Sequence, residues 1–135
     1  MPSQHTRKGR SKCGGPFLCL RHFMVDSVAW LSLSAGARAV YLEILRRYNG
    51  SNNGHLALSA REAAERCRLN KDTVTRMISE LCEKGFIELA APGAFSCKVR
   101  HAAEYRLTVE RCDRTGAPPS KAFMRWRPDL PEKSK

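Results

Sequence analysis

Hydrophobic and polar positions follow two different periods along this chain, and the change of period divides it. Between residues 35 and 48, Ala37, Val40, Tyr41, Ile44, Leu45 and Tyr48 recur at three- and four-residue spacing, while Arg38, Glu43, Arg46 and Arg47 face the other way. That spacing predicts an amphipathic helix with one stripe to bury. A second stripe, Val74, Met77, Ile78 and Leu81, predicts a helix over 71–84, whose opposite side carries Asp72, Thr75, Arg76, Ser79 and Glu83. From residue 86 the period falls to two. Ile87 and Leu89 share a face over 86–91; Tyr105, Leu107 and Val109 share one over 103–110, against Glu104, Arg106, Thr108 and Glu110. Two strands, each half buried, are expected there.

Start and stop signals sharpen these elements. Ser34 opens the first helix. Ser59 with Glu62 three residues on is a capping box, so a further helix starts at Ala60 with the small residues Ala63, Ala64 and Cys67 inward. Arg68, Leu69 and Asn70 interrupt it; Asn70 is an N-cap for the 71–84 helix and Gly85 its stop. Two Asn-Gly pairs over 49–54 mark a turn before a short strand over 55–58. Residues 17–24 read as an edge strand or extended segment. Asp26 caps a helical turn through Trp30 and Leu31, with Trp30 as a core anchor. Burying a large apolar side chain contributes about 1.5–3 kcal/mol, so the 35–48 helix is expected to lie across the 59–85 pair as a three-helix core.

The 59–85 stretch is two short helices joined by a tight turn, and by periodicity alone it suits an ordinary helical hairpin. Its wording adds more. AAERCRLNKDTVTRMISEL resembles the helix-turn-helix of bacterial DNA-binding proteins, with Ala64 in the first helix, a turn at 68–70, and Thr73-Val74 opening the second. The run Leu81 to Ile87 is similar to the L-x-x-x-G-F-I junction by which winged helix-turn-helix proteins pass from recognition helix to first wing strand. The family often has glycine in the turn; here Arg68 must accept a left-handed conformation or use a different turn. The resemblance implies an α+β winged helix-turn-helix fold over residues 16–112: a three-helix core with a small antiparallel sheet, the wing at 92–102. A basic arm, 1–15, precedes it and a basic Pro/aromatic tail, 113–135, follows it.

Charge supports that division. The 24 Lys and Arg against 13 Asp and Glu leave a formal charge of +11. Residues 1–24 hold five cations and no acid, 25–110 twelve against ten, and 111–135 seven against three. Basic ends around a balanced middle suit arms that neutralise phosphate; plain solubilising tails have the same composition. The basic stretches lack the apolar face of a membrane-surface helix. Residues 17–20 are too short for a signal-peptide core, and no run approaches a membrane span. The six cysteines show no C-x-x-C and no paired histidine spacing, so no metal and no cofactor is expected. They read as reduced thiols of a cytoplasmic protein, with Cys67 and Cys82 on inward faces.

The candidate chemistry is recognition. No phosphate-cradling glycine loop, nucleophile elbow or magnesium-binding acidic cluster is present, so an enzyme is not expected. The resemblance makes Lys71, Asp72, Thr73, Thr75, Arg76 and Ser79 the groove-facing set, with Arg76 or Lys71 the best guanine readers. Ser59, Arg61, Asn70, Lys98, Arg100 and His101, with Arg7, Lys8, Arg10 and Lys12 of the arm, are candidates for phosphate or minor groove. The implied partner is double-stranded DNA, bound by a homodimer on an inverted repeat in the bacterial nucleoid, with no membrane. The implied role is transcriptional repression; plasmid or phage replication initiation, recombination directionality, and RNA or protein binding by the same fold are the alternatives. Phe123 and Trp126 are expected to pack back on the domain; the alternatives are contact with a second subunit, docking of another protein through the tail, and base stacking by Trp126.

Overall fold

The computed structural model describes residues 15–96 and 99–128, with the hairpin residues 94–96 and 99–100 described by backbone. Two single-turn helices, α1 (His22–Val25) and α2 (Val28–Leu31), precede α3 (Ala35–Arg46). A short strand β1 (Leu56–Ala57) leads to α4 (Ala60–Cys67) and α5 (Lys71–Glu83). Then come β2 (Ile87–Ala91), a hairpin of β3 (Ala94–Ser96) and β4 (Val99–His101), β5 (Glu104–Leu107) and a 3₁₀ helix (Ala122–Arg125). The order is α+β, as the sequence pattern predicts.

Each of the three longer helices starts at the side chain expected to cap it. Ser34 accepts from the Ala37 amide, Ser59 from Glu62 and Asn70 from Thr73. The capping box is only half used, because the Glu62 carboxylate pairs with Arg47 instead of turning back to its own cap. That pair, with Glu43 to Arg66 (2.5 Å) and to Arg47 (3.5 Å), ties α3 to α4 across the side expected to face solvent. The three helices pack on one another around Ala37, Val40, Tyr41, Ile44, Ala63, Val74 and Leu81, all fully buried. Trp30, Tyr41 and Phe86 meet edge to face at 5.6–6.0 Å, an arrangement that favours aromatic quadrupoles.

A three-stranded antiparallel sheet of order β1-β5-β2 closes the core, with Leu56 opposite Tyr105 and Ile87 opposite Leu107. Tyr105, Leu107 and Val109 are buried as their alternation predicts. Leu89 is not: it is 54% exposed, because β2 is an edge strand whose register shifts between Leu89 and Ala91 as it leaves the core. Thr108, expected outward, is fully buried, and its hydroxyl donates to the Gly85 carbonyl (2.6 Å).

Other expectations are corrected where tertiary contacts intervene. Residues 17–24 form no strand; the segment is irregular to Arg21 and enters α1, with Met24 buried against the Tyr41 hydroxyl. Ser27, not Asp26, caps the Trp30 turn, its Oγ accepting from the Trp30 amide; Asp26 ends α1. Helix α3 stops at Arg46, two residues short of Tyr48, where Asn52 Nδ2 donates to the Arg47 carbonyl (2.8 Å). In the expected wing, 92–102, the strands Ala94–Ser96 and Val99–His101 pair as a two-stranded ribbon with Ala94 opposite His101. Cys82 is exposed, since the seam through Val74 and Leu81 turns it outward.

Residues 113–128 fold back on the domain. Phe123 is fully buried and stacks on Phe86 at 5.1 Å with the rings 5° from parallel. Gly85 makes room for it. At φ +88° it ends α5, and a Cβ there would lie 2.6 Å from the Phe123 nitrogen, so one glycine serves both the helix stop and the close approach. Trp126 is partly covered, with the Lys84 ammonium 4.9 Å from its ring centre.

Candidate nucleic-acid interface

Helix α5 is held from behind and open in front. Behind, Val74 and Leu81 are buried, and Met77 approaches Gly36 so closely that a Cβ there would meet its sulfur at 3.0 Å. Glu80 fixes the axial position by accepting from the Ser34 amide (3.0 Å) and hydroxyl (2.9 Å) at the start of α3, and from Lys84 (3.1 Å). Burial raises the Glu80 carboxyl, but the hydrogen bonds from Ser34 and Lys84 outweigh it and hold the group below the usual carboxylate range. A carboxyl depressed in the folded state stabilises above its unfolded pKa, and that stability disappears as pH falls through the folded value. Glu80→Gln should therefore cost about 1–2 kcal/mol near neutrality and flatten the acid limb of stability. Urea midpoints of both proteins between pH 7 and pH 3 measure it; parallel curves would contradict this assignment.

In front, Lys71, Asp72, Thr75, Arg76 and Ser79 are exposed and Thr73 is partly covered. Thr73 Oγ1 accepts from Arg76 Nη2 (3.2 Å), which steadies the guanidinium, and Thr75 Oγ1 donates to the Lys71 carbonyl (3.0 Å). Asn70 spends its carbonyl oxygen on the Thr73 amide (2.7 Å), leaving its amide hydrogens free to donate. Asp72, in the first turn of α5, is where a helix dipole favours an acid.

The fold then brings distant positions together. Ser59 at the start of α4, Thr75 and Ser79 on α5, and His101 at the base of the hairpin line one open groove, floored by Leu58, Ile78 and Tyr105. Arg61 is exposed in the first turn of α4. Reader, flanking helix and wing thus share one face. Arg100 lies in β4 opposite Phe95, on the same hairpin. Lys98 and the arm residues Arg7, Lys8, Arg10 and Lys12 lie outside the described residues.

Ion pairing matches some of the domain's cations and leaves others free. Seven described cations are matched: Arg21 with Glu110, Arg47 and Arg66 with Glu43, Lys84 with Glu80, Arg106 with Glu88, Arg111 with Asp113, and Arg114 with Glu104. Among the described residues, Arg61, Arg68, Lys71 and Arg76, on α4, the turn and α5, are in none of these pairs, and neither are Arg38 and Arg46 on α3 or Lys121, Arg125 and Arg127 near the C-terminus. The helix-turn-helix thus carries four cations that no carboxylate of the described residues pairs. Arg68 was not among the sequence candidates; a cation inside the turn was the available signal. It accepts the left-handed conformation, at φ 58°. No group of three or more His, Cys, Asp or Glu among the described residues is placed to hold a metal, and no described helix is long and apolar enough to cross a membrane.

Comparison with known proteins agrees with this geometry over the segment that carries it. A family model described as a helix-turn-helix domain matches residues 31–87, which span α3, β1, α4, α5 and the start of β2. No curated protein matches the chain, and no solved structure does. Residues 31–87 thus match a helix-turn-helix domain, a kind of domain that binds DNA, and the sheet and hairpin that follow them complete a winged helix-turn-helix fold.

Proposed function

We propose that this protein binds double-stranded DNA sequence-specifically and represses transcription by occupying a promoter, with binding rather than catalysis as its activity. The observation that carries the reading is the exposed, unneutralised N-terminal half of α5, flanked on one face by Ser59 and the hairpin. An α-helix fits the major groove with its N-terminal residues on base edges. Lys71 and Arg76 suit guanine, and Asp72 a cytosine amino group. Ser59, Arg61, Asn70 and the hairpin, with His101 at its base, suit phosphates that set register. One short helix reads few base pairs, so a homodimer on an inverted repeat supplies the remaining specificity. A cytoplasmic, nucleoid-associated location follows from that partner.

Selection of preferred sites from a random duplex pool, followed by footprinting, tests the reading. Protection over a promoter supports it. Repeated sites at a replication origin or recombination site would move the protein to that role, and preference for structured RNA in direct competition would remove the DNA assignment. Within the selected site, Arg76→Ala is expected to relax preference at one position per half-site by about 1–3 kcal/mol. Uniformly weaker binding with unchanged preference would make Arg76 a phosphate contact.

A further inference from the structure

Arg68 stands where the chain turns from α4 into α5, with φ 58° and ψ 46°. In that left-handed conformation a Cβ crowds the following carbonyl, a penalty glycine does not carry. The turn requires the conformation. It brings the Leu69 amide back to the Ala64 carbonyl (3.0 Å) and seats Leu69 against the core beside Gly36. Nothing in that geometry requires an arginine.

Among the described residues the other non-glycine at positive φ is instructive. Lys121 (φ 47°) has its ammonium 5.1 Å from the Phe23 ring centre, so its side chain packs on the domain. Arg68 is exposed, and it takes no part in the ion pairs of the described residues. A guanidinium held at the surface, in a turn glycine would make at lower cost, and three residues before exposed Lys71 at the start of α5, is placed for an anion outside the chain. Resting on the reading of the protein as a DNA binder, we infer that Arg68 holds a phosphate of the DNA backbone beside the start of α5. Such a contact fixes register and carries no sequence information of its own.

The test measures binding of the full chain to its selected duplex and to an unrelated duplex across a salt series, with thermal unfolding of each variant. Arg68→Gly and Arg68→Asn both tolerate the left-handed region. They are expected to unfold no earlier than the parent, to bind both duplexes about fivefold more weakly, and to reduce the slope of log affinity against log salt by about one. Arg68→Lys is expected to keep the slope. If the Gly and Asn variants retain the parent's affinity and slope, the inference is overturned and the DNA reading stands. Earlier unfolding of both variants also overturns it, because Arg68 would then be structural. A parent protein that ignores duplexes removes both readings.

Discussion

Phe123→Ala is expected to destabilise the protein by about 3–5 kcal/mol, a large fraction of the 5–15 kcal/mol typical of a whole domain. The ring is fully buried between Phe86, on which it stacks, and Phe23, 6.2 Å away. Removing it leaves a cavity the surroundings cannot fill, because Gly85 and the 3₁₀ helix meet there through backbone atoms. Urea unfolding measures the effect as a lower midpoint with an unchanged slope. Duplex binding should weaken only where the unfolded fraction becomes appreciable, since Phe123 lies away from the reading face. A loss below about 1 kcal/mol would mean that the C-terminal segment packs less tightly in solution than the stacked geometry requires.

Asn53→Ala is the second large effect, and its origin is polar. Asn53 is fully buried in the turn before β1. Its Oδ1 accepts from the Leu107 amide (2.7 Å), and its Nδ2 donates to the carbonyls of Leu107 (2.9 Å), Glu110 (3.2 Å) and Arg111 (2.9 Å). Alanine orphans this set, and each buried group left without a partner costs about 1–3 kcal/mol, so a loss of about 2–5 kcal/mol is expected. Asn53→Asp separates hydrogen bonding from volume. Its carboxylate would face three carbonyls, which raises its folded pKa. The stability it retains is then present at low pH and lost as pH rises through that value. Relative to the parent, Asn53→Asp should be less destabilised at pH 4 than at pH 7. The reverse order would contradict the acceptor-rich surroundings assigned to Asn53.

Which parts of this architecture were legible beforehand follows the range of the forces involved. Helix caps are local: Ser34, Ser59 and Asn70 each bond an amide three residues ahead, so spacing alone reveals them. Stripes are nearly as local, since Val74 and Leu81 must be buried whatever covers them. Leu89 and Thr108 were misplaced because period two states only that faces alternate. Whether a strand end stays on the core depends on its place in the sheet, and β2 is at an edge. Asp26 lost its expected cap to Ser27 for a similar reason: adjacent residues compete for one helix start, and the packing of Trp30 selects the winner.

By itself the sequence determined the helix-turn-helix, its caps, its buried stripe and the polar side of α5, because those rest on interactions within a few residues. Only the tertiary structure decided that His101 and Ser59 join Thr75 and Ser79 in one groove, and that Asn53 and Phe123 lock the turn before β1 and the C-terminal segment into the domain. It alone decided which cations find a carboxylate and which, Arg61, Arg68, Lys71 and Arg76 among them, do not, since a carboxylate partner can lie as far as 89 residues away in sequence. Charge pairing at such separations depends on where folding places each side chain, which no local pattern encodes.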